Sequence, residues 1–384
     1  MNKKGIFAIV VVTYNREKSL SRLLESLSKA YYGEDLVDLI ISIDYSGENK
    51  VLEVSEDFDW KFGEKKIINH QENLGLKRHI LKCGQFTKLY QAICVFEDDI
   101  FVSPSFYSYA KQSYYYYRNN PIVGGISIYS HKYNYLAGLK FDPIDNGKDT
   151  FFMQQAQSWG QIWYEEIWND FYEWYELNKS KSLVDLNFPK HISSWPESSW
   201  LKYHMKYLYE KNLFFVYPYK SLCTNFTEIG THAARKSTNF QVPISSSSKN
   251  EFSFSNVEDN LYSKYDVWFE NIGLKQLFKD FEDITIDLYG NRDEVNTRFL
   301  LSTKKKDYKI LKSYDLELKP HENNIIFNVN GNVVFLYDRL IHQKNKTDFS
   351  QYNLLNYYFG DISFKKVLCI TKDKFREIIE NKIK

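Results

Sequence analysis

Apolar runs and polar turns alternate along the first hundred residues in an order that defines a class of fold. Ile6 to Val12 is a continuous, β-branched apolar run, the pattern of a strand buried on both faces of a parallel sheet. After the polar Thr13-Tyr14-Asn15 turn, Leu20, Leu23, Leu24 and Leu27 recur at helical spacing and predict an amphipathic helix. Leu36 to Ile43 predicts a second buried strand ending at Asp44. The order repeats through an Ile67-Ile68 strand, a Leu76 to Cys83 helix and an Ala92 to Phe96 strand. The expected architecture is therefore α/β, a doubly wound, mostly parallel sheet flanked by helices. Such sheets bind ligands beyond the carboxyl ends of their strands, and Thr13-Tyr14-Asn15, Asp44 and Glu97-Asp98-Asp99 all fall there.

From about Gly124 the alternation gives way to a tyrosine- and tryptophan-rich stretch, followed by a helix predicted over Trp200 to Lys211 and a strand over Leu213 to Tyr217. Ser245 to Ser248 marks a linker or mobile loop. Beyond it, Asn324 to Asn328 and Val333 to Tyr337 read as strands of a hairpin turned at Asn330-Gly331. The expected division is a main domain over 1–240, a linking segment over 241–277 and a small α+β domain over 278–384.

Composition narrows the partners. Lys and Arg number 50 against 49 Asp and Glu, so there is no global field to draw in nucleic acid or an acidic membrane. Aromatic residues make up 17% of the 384 positions, and two explanations stand level: rings lining a ligand groove, and a coding bias that raises Lys, Asn, Ile, Tyr and Phe together. The four cysteines, Cys83, Cys94, Cys223 and Cys369, form no CxxC pair, which speaks against a zinc cluster or disulfide framework and fits a reducing compartment. Asn2-Lys3-Lys4 before the first apolar run has a faint signal-peptide character, but no small-residue cleavage site follows and the run reads as a strand. No segment reaches the length of a transmembrane helix. The expectation is a cytoplasmic chain, at most peripheral at the inner face of the membrane.

Glu97-Asp98-Asp99 places carboxylates where an apolar strand meets a loop. Hard divalent cations prefer such oxygens, and a diphosphate needs its charge neutralised to bind and to leave. A solvated acidic turn, or a cap for the helix expected after Ser103-Pro104, is the plain alternative. Upstream, Lys77, Arg78 and His79 open a helix beside Gly75, a place suited to phosphate, or else form an ordinary basic face. Trp159, Trp163 and Trp195 offer flat faces to sugar rings in competition with core packing, and Gly160 allows close approach to the backbone. Tyr114 to Tyr117 is spread around a helix and forms no single stacking face.

Taken in order, Val11-Val12-Thr13-Tyr14-Asn15-Arg16, Asp44, Glu72-Asn73-Leu74-Gly75-Leu76 and Phe96-Glu97-Asp98-Asp99 resemble the GT-A glycosyltransferases of the family 2 type. The following Val102-Ser103-Pro104-Ser105-Phe106, with Tyr109, is similar to the N-acetylglucosaminyltransferase I branch and its bacterial relatives. Ser158-Trp159-Gly160-Gln161-Ile162-Trp163, Ser199-Trp200, Tyr217 to Leu222 and Gly230-Thr231-His232 resemble further elements of those bacterial enzymes, so the resemblance spans about residues 6–235.

The resemblance implies an inverting transfer from a nucleotide-diphosphate sugar, a UDP-sugar, to a glycan or lipid-linked glycan in bacterial surface-polysaccharide synthesis, with Mn2+ or Mg2+ as cofactor. It implies that Thr13, Asn15, Arg16 and Asp44 surround the nucleoside, that Asn73 and Lys77 sit beside the diphosphate, and that Asp98 supports donor hydroxyls or water. Asp99 becomes the principal metal ligand, with His232 a second metal contact or a diphosphate contact. Trp159 and Gly160 fall on the acceptor side. Glu197 is the candidate general base, level with a simple first-turn carboxylate, and Asp170 and Asp185 are weaker candidates. The chain departs from the relatives here, because Ser198 stands where they often carry Asp or Asn. Two other classes stay open: a sugar-nucleotide nucleotidyltransferase, though the Gly-rich loop common after its first strand is absent, and a non-catalytic glycan-binding protein.

Overall fold

The computed structural model describes residues 5–226, 239–258, 261–292, 294–346 and 350–360, with scattered positions between 363 and 376. The chain divides into two compact units, residues 1–273 and 274–384.

In the first unit, β1 (Gly5–Thr13) lies parallel to its neighbours, and Phe7 to Val12 are all buried, as an unbroken apolar run requires. Helix α1 (Glu17–Ser28) buries Leu20, Leu23, Leu24 and Leu27 on one stripe. Next come β2 (Val37–Ile43), α2 (Lys50–Asp57), β3 (Lys65–Asn69), α3 (Gly75–Gly84) and β4 (Tyr90–Glu97). The order β3-β2-β1-β4 is parallel throughout, the doubly wound half expected from the pattern.

A short β5 (Ile100–Val102) leaves the acidic turn, and α4 (Phe106–Tyr117) follows. The first unit continues with β6 (Val123–Ser127), β7 (Tyr133–Asn134), β8 (Leu139–Lys140), β9 (Thr150–Met153), β10 (Gln161–Tyr164), α5 (Glu165–Asn178), α6 (Lys190–Ser193), α7 (Leu201–Lys211), β11 (Phe214–Pro218), β12 (Cys223–Asn225) and β13 (Lys264–Tyr265). The main sheet reads β13-β9-β11-β6-β10-β4-β1-β2-β3, with β10 antiparallel between β4 and β6. On α4, Tyr114 and Tyr117 are buried while Tyr115 and Tyr116 face solvent, as successive positions on a helix must.

The stretch expected to link two domains is instead built into the first unit as far as Gly273. Ser103 Oγ donates to Ser245 O, Ser105 Oγ donates to Ser247 O at 3.1 Å, and β13 adds a parallel strand to β9. Serine hydroxyls near the start of α4 thus satisfy the carbonyls of a polar segment that composition alone marks as a linker.

In the second unit, β14 (Ile284–Asp287) runs parallel to β15 (Phe299–Ser302), and β17 (Val334–His342) lies antiparallel between β15 and β16 (Tyr308–Tyr314) around Leu300, Phe335 and Tyr337. Glu322–Ile326 is a helix, α8, followed by Asn328 at φ 54°, so the hairpin expected there does not form. A short apolar run such as Ile325-Ile326-Phe327 fits either state by pattern alone. Helix α9 spans Ser350–Phe359. No helix among the described residues is long and apolar enough to cross a membrane.

Candidate active site

Parallel register brings the polar ends of β1, β2 and β4 together. Val12 pairs with Glu97, which places Thr13 beside Asp98, and Thr13 Oγ1 donates to Asp98 Oδ2 at 2.8 Å. Arg16 reaches back from the turn before α1 and spans both aspartates, contacting Asp98 Oδ1 and, at 3.0 Å, Asp99 Oδ2. Burial pushes the Asp98 carboxyl up to about 6, against the opposing pull of Arg16 and Thr13. Glu97 is pushed up to about 8, first by burial and then by the charge of Asp99, while Arg16 and a hydrogen bond with Ser158 oppose the shift. Burial works against the Arg16 charge, but Asp98 and Asp99 outweigh it and hold the guanidinium above its ordinary range.

One oxygen of this turn is left over. Asp98 Oδ1 faces Arg16, whereas Asp99 Oδ1 is buried with no hydrogen-bond partner. A buried anionic oxygen without a donor is costly, and a hard cation is the group that satisfies it. Among the described residues no three His, Cys, Asp or Glu side chains are arranged to hold a metal. His232 lies outside the described residues. Before it, β12 pairs with β5, and the Phe226 amide donates to Asp99 O at 2.9 Å.

Asp44 has a different setting from the one expected. Its Oδ1 accepts from the amides of Tyr45 at 2.9 Å and Leu74 at 2.7 Å, and its Oδ2 accepts from Gly75 N at 2.9 Å. The carboxylate therefore caps α3 through the amides of Leu74 and Gly75. Asn73 Nδ2 donates to Tyr45 O at 2.9 Å, tying the same two loops. His79 is buried with Nε2 2.7 Å from Ser42 Oγ, and burial lowers its pKa to about 4, so it is a neutral structural group. Lys77 is half-buried, with Nζ 5.2 Å from the centre of the Tyr203 ring, and Asn15 is exposed beside Arg16.

On the other flank of β4, Gln161 pairs with Val95, which brings the Ser158-Trp159-Gly160 turn next to Phe96 and Glu97. Gly160 has φ 84°, and a Cβ there would lie 2.9 Å from Phe96 and 3.0 Å from Cys223 Sγ. Packing and backbone conformation each require a glycine here. Trp159 is half-buried against Tyr129 and Phe240, while Trp163 is wholly buried against Trp168 and Trp200.

Glu197 lies before α7 with its side chain 78% exposed, yet it pairs with Lys202, whose side chain is only 2% exposed. Tyr203 OH donates to its other oxygen. Hydrogen bonds from Lys202 and Tyr203 lower its pKa. Asp185 is taken up by Lys206 at 2.8 Å.

Residues 8–163 match the family model described as glycosyl transferase family 2. The match runs from β1 to β10 and contains the acidic turn, Arg16 and Trp159-Gly160. Similar solved structures include S. aureus TarS 1–349 in complex with UDP-GlcNAc, at 18% identity and TM-score 0.37, covering 60% of this chain and 60% of that one. GalNAc-T7 with UDP, GalNAc and Mn2+ matches at 12% identity and TM-score 0.41, covering 59% of this chain and 44% of that one. The mannosyltransferase PcManGT from Pyrobaculum calidifontis, in complex with GDP-Man and Mn2+, matches at 10% identity and TM-score 0.31, covering 43% and 46% respectively. The chain thus spans less than two thirds of the length of these structures. No curated protein matches it.

Three groups around the site carry little or no sequence signal. Ser158 helps to lower the Glu97 pKa against burial, and its only sequence signal is the serine beginning the Ser-Trp-Gly element. Lys202 and Tyr203 hold Glu197, but on sequence they are ordinary helix positions. Strand β5 is three residues long, too short to carry a period.

Proposed function

We propose that this chain is a glycosyltransferase that moves a sugar, with inversion, from a nucleoside-diphosphate donor, a UDP-sugar, to a glycan or lipid-linked glycan, using Mn2+ or Mg2+ at Asp99. The observation that carries the reading is the buried, unpartnered Asp99 Oδ1 at the end of β4, inside the family 2 match. When bound, the cation neutralises diphosphate charge, which favours both donor binding and departure of the nucleoside diphosphate. Arg16 keeps Asp98 and Asp99 from repelling each other, and Thr13 fixes the Asp98 carboxylate for donor hydroxyls or water. Asp44 acts through α3, whose first turn it caps, setting Asn73 and Lys77 on the donor side. Trp159 serves the acceptor.

Inversion needs a base on the sugar face opposite the leaving group. We assign it to Glu197, whose exposed carboxylate is open to an acceptor hydroxyl. The hydroxyl proton passes to Glu197 as the acceptor oxygen bonds to C1 and the C1–diphosphate bond breaks. The setting that suits such an acceptor is the synthesis of bacterial surface polysaccharide at the inner face of the cytoplasmic membrane.

Incubation with UDP-sugars and Mn2+ tests the reading: nucleoside diphosphate should be released with transfer of the sugar. Asp99→Ala should lower kcat/KM by about 100-fold or more, the loss typical of a group that stabilises developing charge, and should abolish Mn2+-dependent donor binding in calorimetry. Pyrophosphate formation would indicate a nucleotidyltransferase. Unchanged turnover with metal-independent donor binding in Asp99→Ala would remove the metal assignment.

A further inference from the structure

Six of the eight tryptophans are buried, and the two that are not, Trp159 and Trp195, lie on one strip of aromatic rings. The strip runs from Trp159 to Phe240 at 4.9 Å between ring centres, from Phe240 to Tyr135 at 6.4 Å, and from Tyr135 to Trp195 at 6.2 Å. His191 flanks its far end, 5.8 Å from Tyr135. All four rings are half-buried, each keeping part of its surface in contact with water. They come from four places in the chain: the turn before β10, the segment after β7, the segment after α6, and the stretch that precedes Val242. No local pattern groups them.

The strip is held from beneath by polar contacts rather than by a loose collapse of rings. Tyr135 OH donates to Gln155 Oε1 at 2.8 Å, Tyr129 OH donates to Phe240 O at 2.9 Å, and Lys202 Nζ donates to Trp195 O at 3.0 Å. The indole N–H groups of Trp159 and Trp195 have no acceptor among the described residues, and neither has that of the buried Trp168, whereas those of Trp60, Trp163, Trp174 and Trp268 are each hydrogen-bonded. The near end adjoins the acidic turn, since a Cβ on Gly160, the neighbour of Trp159, would lie 2.9 Å from Phe96. The far end carries Trp195, whose carbonyl Lys202 holds.

We propose that this strip is an extended subsite for a neutral oligosaccharide, binding several consecutive sugars of the acceptor and not its terminal unit alone. The proposal rests on the glycosyl-transfer reading of the same domain and adds the length and charge class of the acceptor. Flat, half-wet rings with free N–H donors suit pyranose units, which present C–H edges to a ring face and hydroxyls to its rim. None of the four rings carries a charge, so the strip selects for neutral sugars. An aliphatic tail would call for a channel lined by branched apolar side chains instead.

The test uses the full chain and a panel of neutral hexose and N-acetylhexosamine oligomers from monosaccharide to hexasaccharide, followed by intrinsic tryptophan fluorescence and calorimetry. In at least one series, affinity should rise with each added unit as far as the tetrasaccharide, with a change in tryptophan emission. Trp195→Ala and Phe240→Ala should each weaken the longer oligomers about tenfold, the loss expected of one stacking ring, and Trp195→Phe should restore most of it. Melting temperatures near that of the parent protein establish that the variants fold. The proposal is overturned if no oligomer binds, if longer oligomers bind no better than the monosaccharide, or if folded Trp195→Ala and Phe240→Ala bind as the parent does. Release of nucleoside diphosphate from UDP-sugars by the unaltered protein, measured without glycan, reports on the transferase reading separately.

Discussion

Gly160 carries two constraints that a side chain violates together. At φ 84° an L-residue is strained, and its Cβ would press on Phe96 and Cys223, which line the interior next to the acidic turn. Gly160→Ala should therefore cost about 1–3 kcal/mol of stability, read as a lower denaturation midpoint at unchanged slope. A midpoint equal to that of the parent protein would show that the turn relaxes freely. That a glycine matters here was legible in the Ser158-Trp159-Gly160 sequence, but its reason was not, because φ and the identity of facing side chains belong to tertiary contact. Asp44 gives the same lesson in reverse. Its place after β2 was readable, while its engagement by three amides depends on where the start of α3 lands.

At the scale of elements, α7 and the segment before it decide how acceptor chemistry is tested. Lys202 is buried and its partner Glu197 is exposed, so the pair lowers the pKa of Glu197. A base must be ionised, and activity is lost as pH falls through its pKa. Lys202→Met removes the ammonium, lets the Glu197 pKa rise toward its ordinary value, and should move the acid limb of kcat/KM to higher pH. An apolar chain of similar length at a buried position keeps the cost in stability small. Glu197→Gln should lower kcat by about 100-fold or more, within the usual range for a general base. A full-rate Glu197→Gln, or an acid limb that Lys202→Met leaves in place, would take the base role from Glu197 and leave it as a clamp on the Trp195 segment. Strands β1 to β4 and helices α1 and α3 were readable from apolar runs and helical spacing, whereas α2 was not. The elements that escaped were short ones, β5 and α8, and the docked segment around Ser245, whose state is set by partners far away in sequence.

Over the first unit as a whole, buried titratable groups oppose one another across pH. His79 is held near 4 and His131 and His204 near 3, in each case by burial, so all three are neutral when folded. An imidazole with a depressed pKa binds its proton more readily in the unfolded chain. The stability it contributes is complete above about pH 6.5, the ordinary value, and is lost as pH falls from there toward 4 or 3. Glu97 acts in the other direction. With its pKa raised to about 8, its folded carboxyl carries a proton that the unfolded one has released, so stability falls as pH rises from about 4.5 to 8. The metal-free protein should therefore melt highest near neutrality, somewhat lower toward pH 9, and lower in proportion to acid below pH 6. His204 is the imidazole to remove, since it stacks on Phe171 at 4.2 Å and packs against Phe215, a setting that accepts a phenyl ring. His204→Phe should make the acid limb shallower by one proton, about 1.4 kcal/mol per pH unit between pH 6 and 4, while the alkaline side stays as it was. Because His204 contributes one proton to that slope, an unchanged acid limb in His204→Phe would mean that its pKa is not depressed in the folded chain and that the aromatic cage around it tolerates the charge.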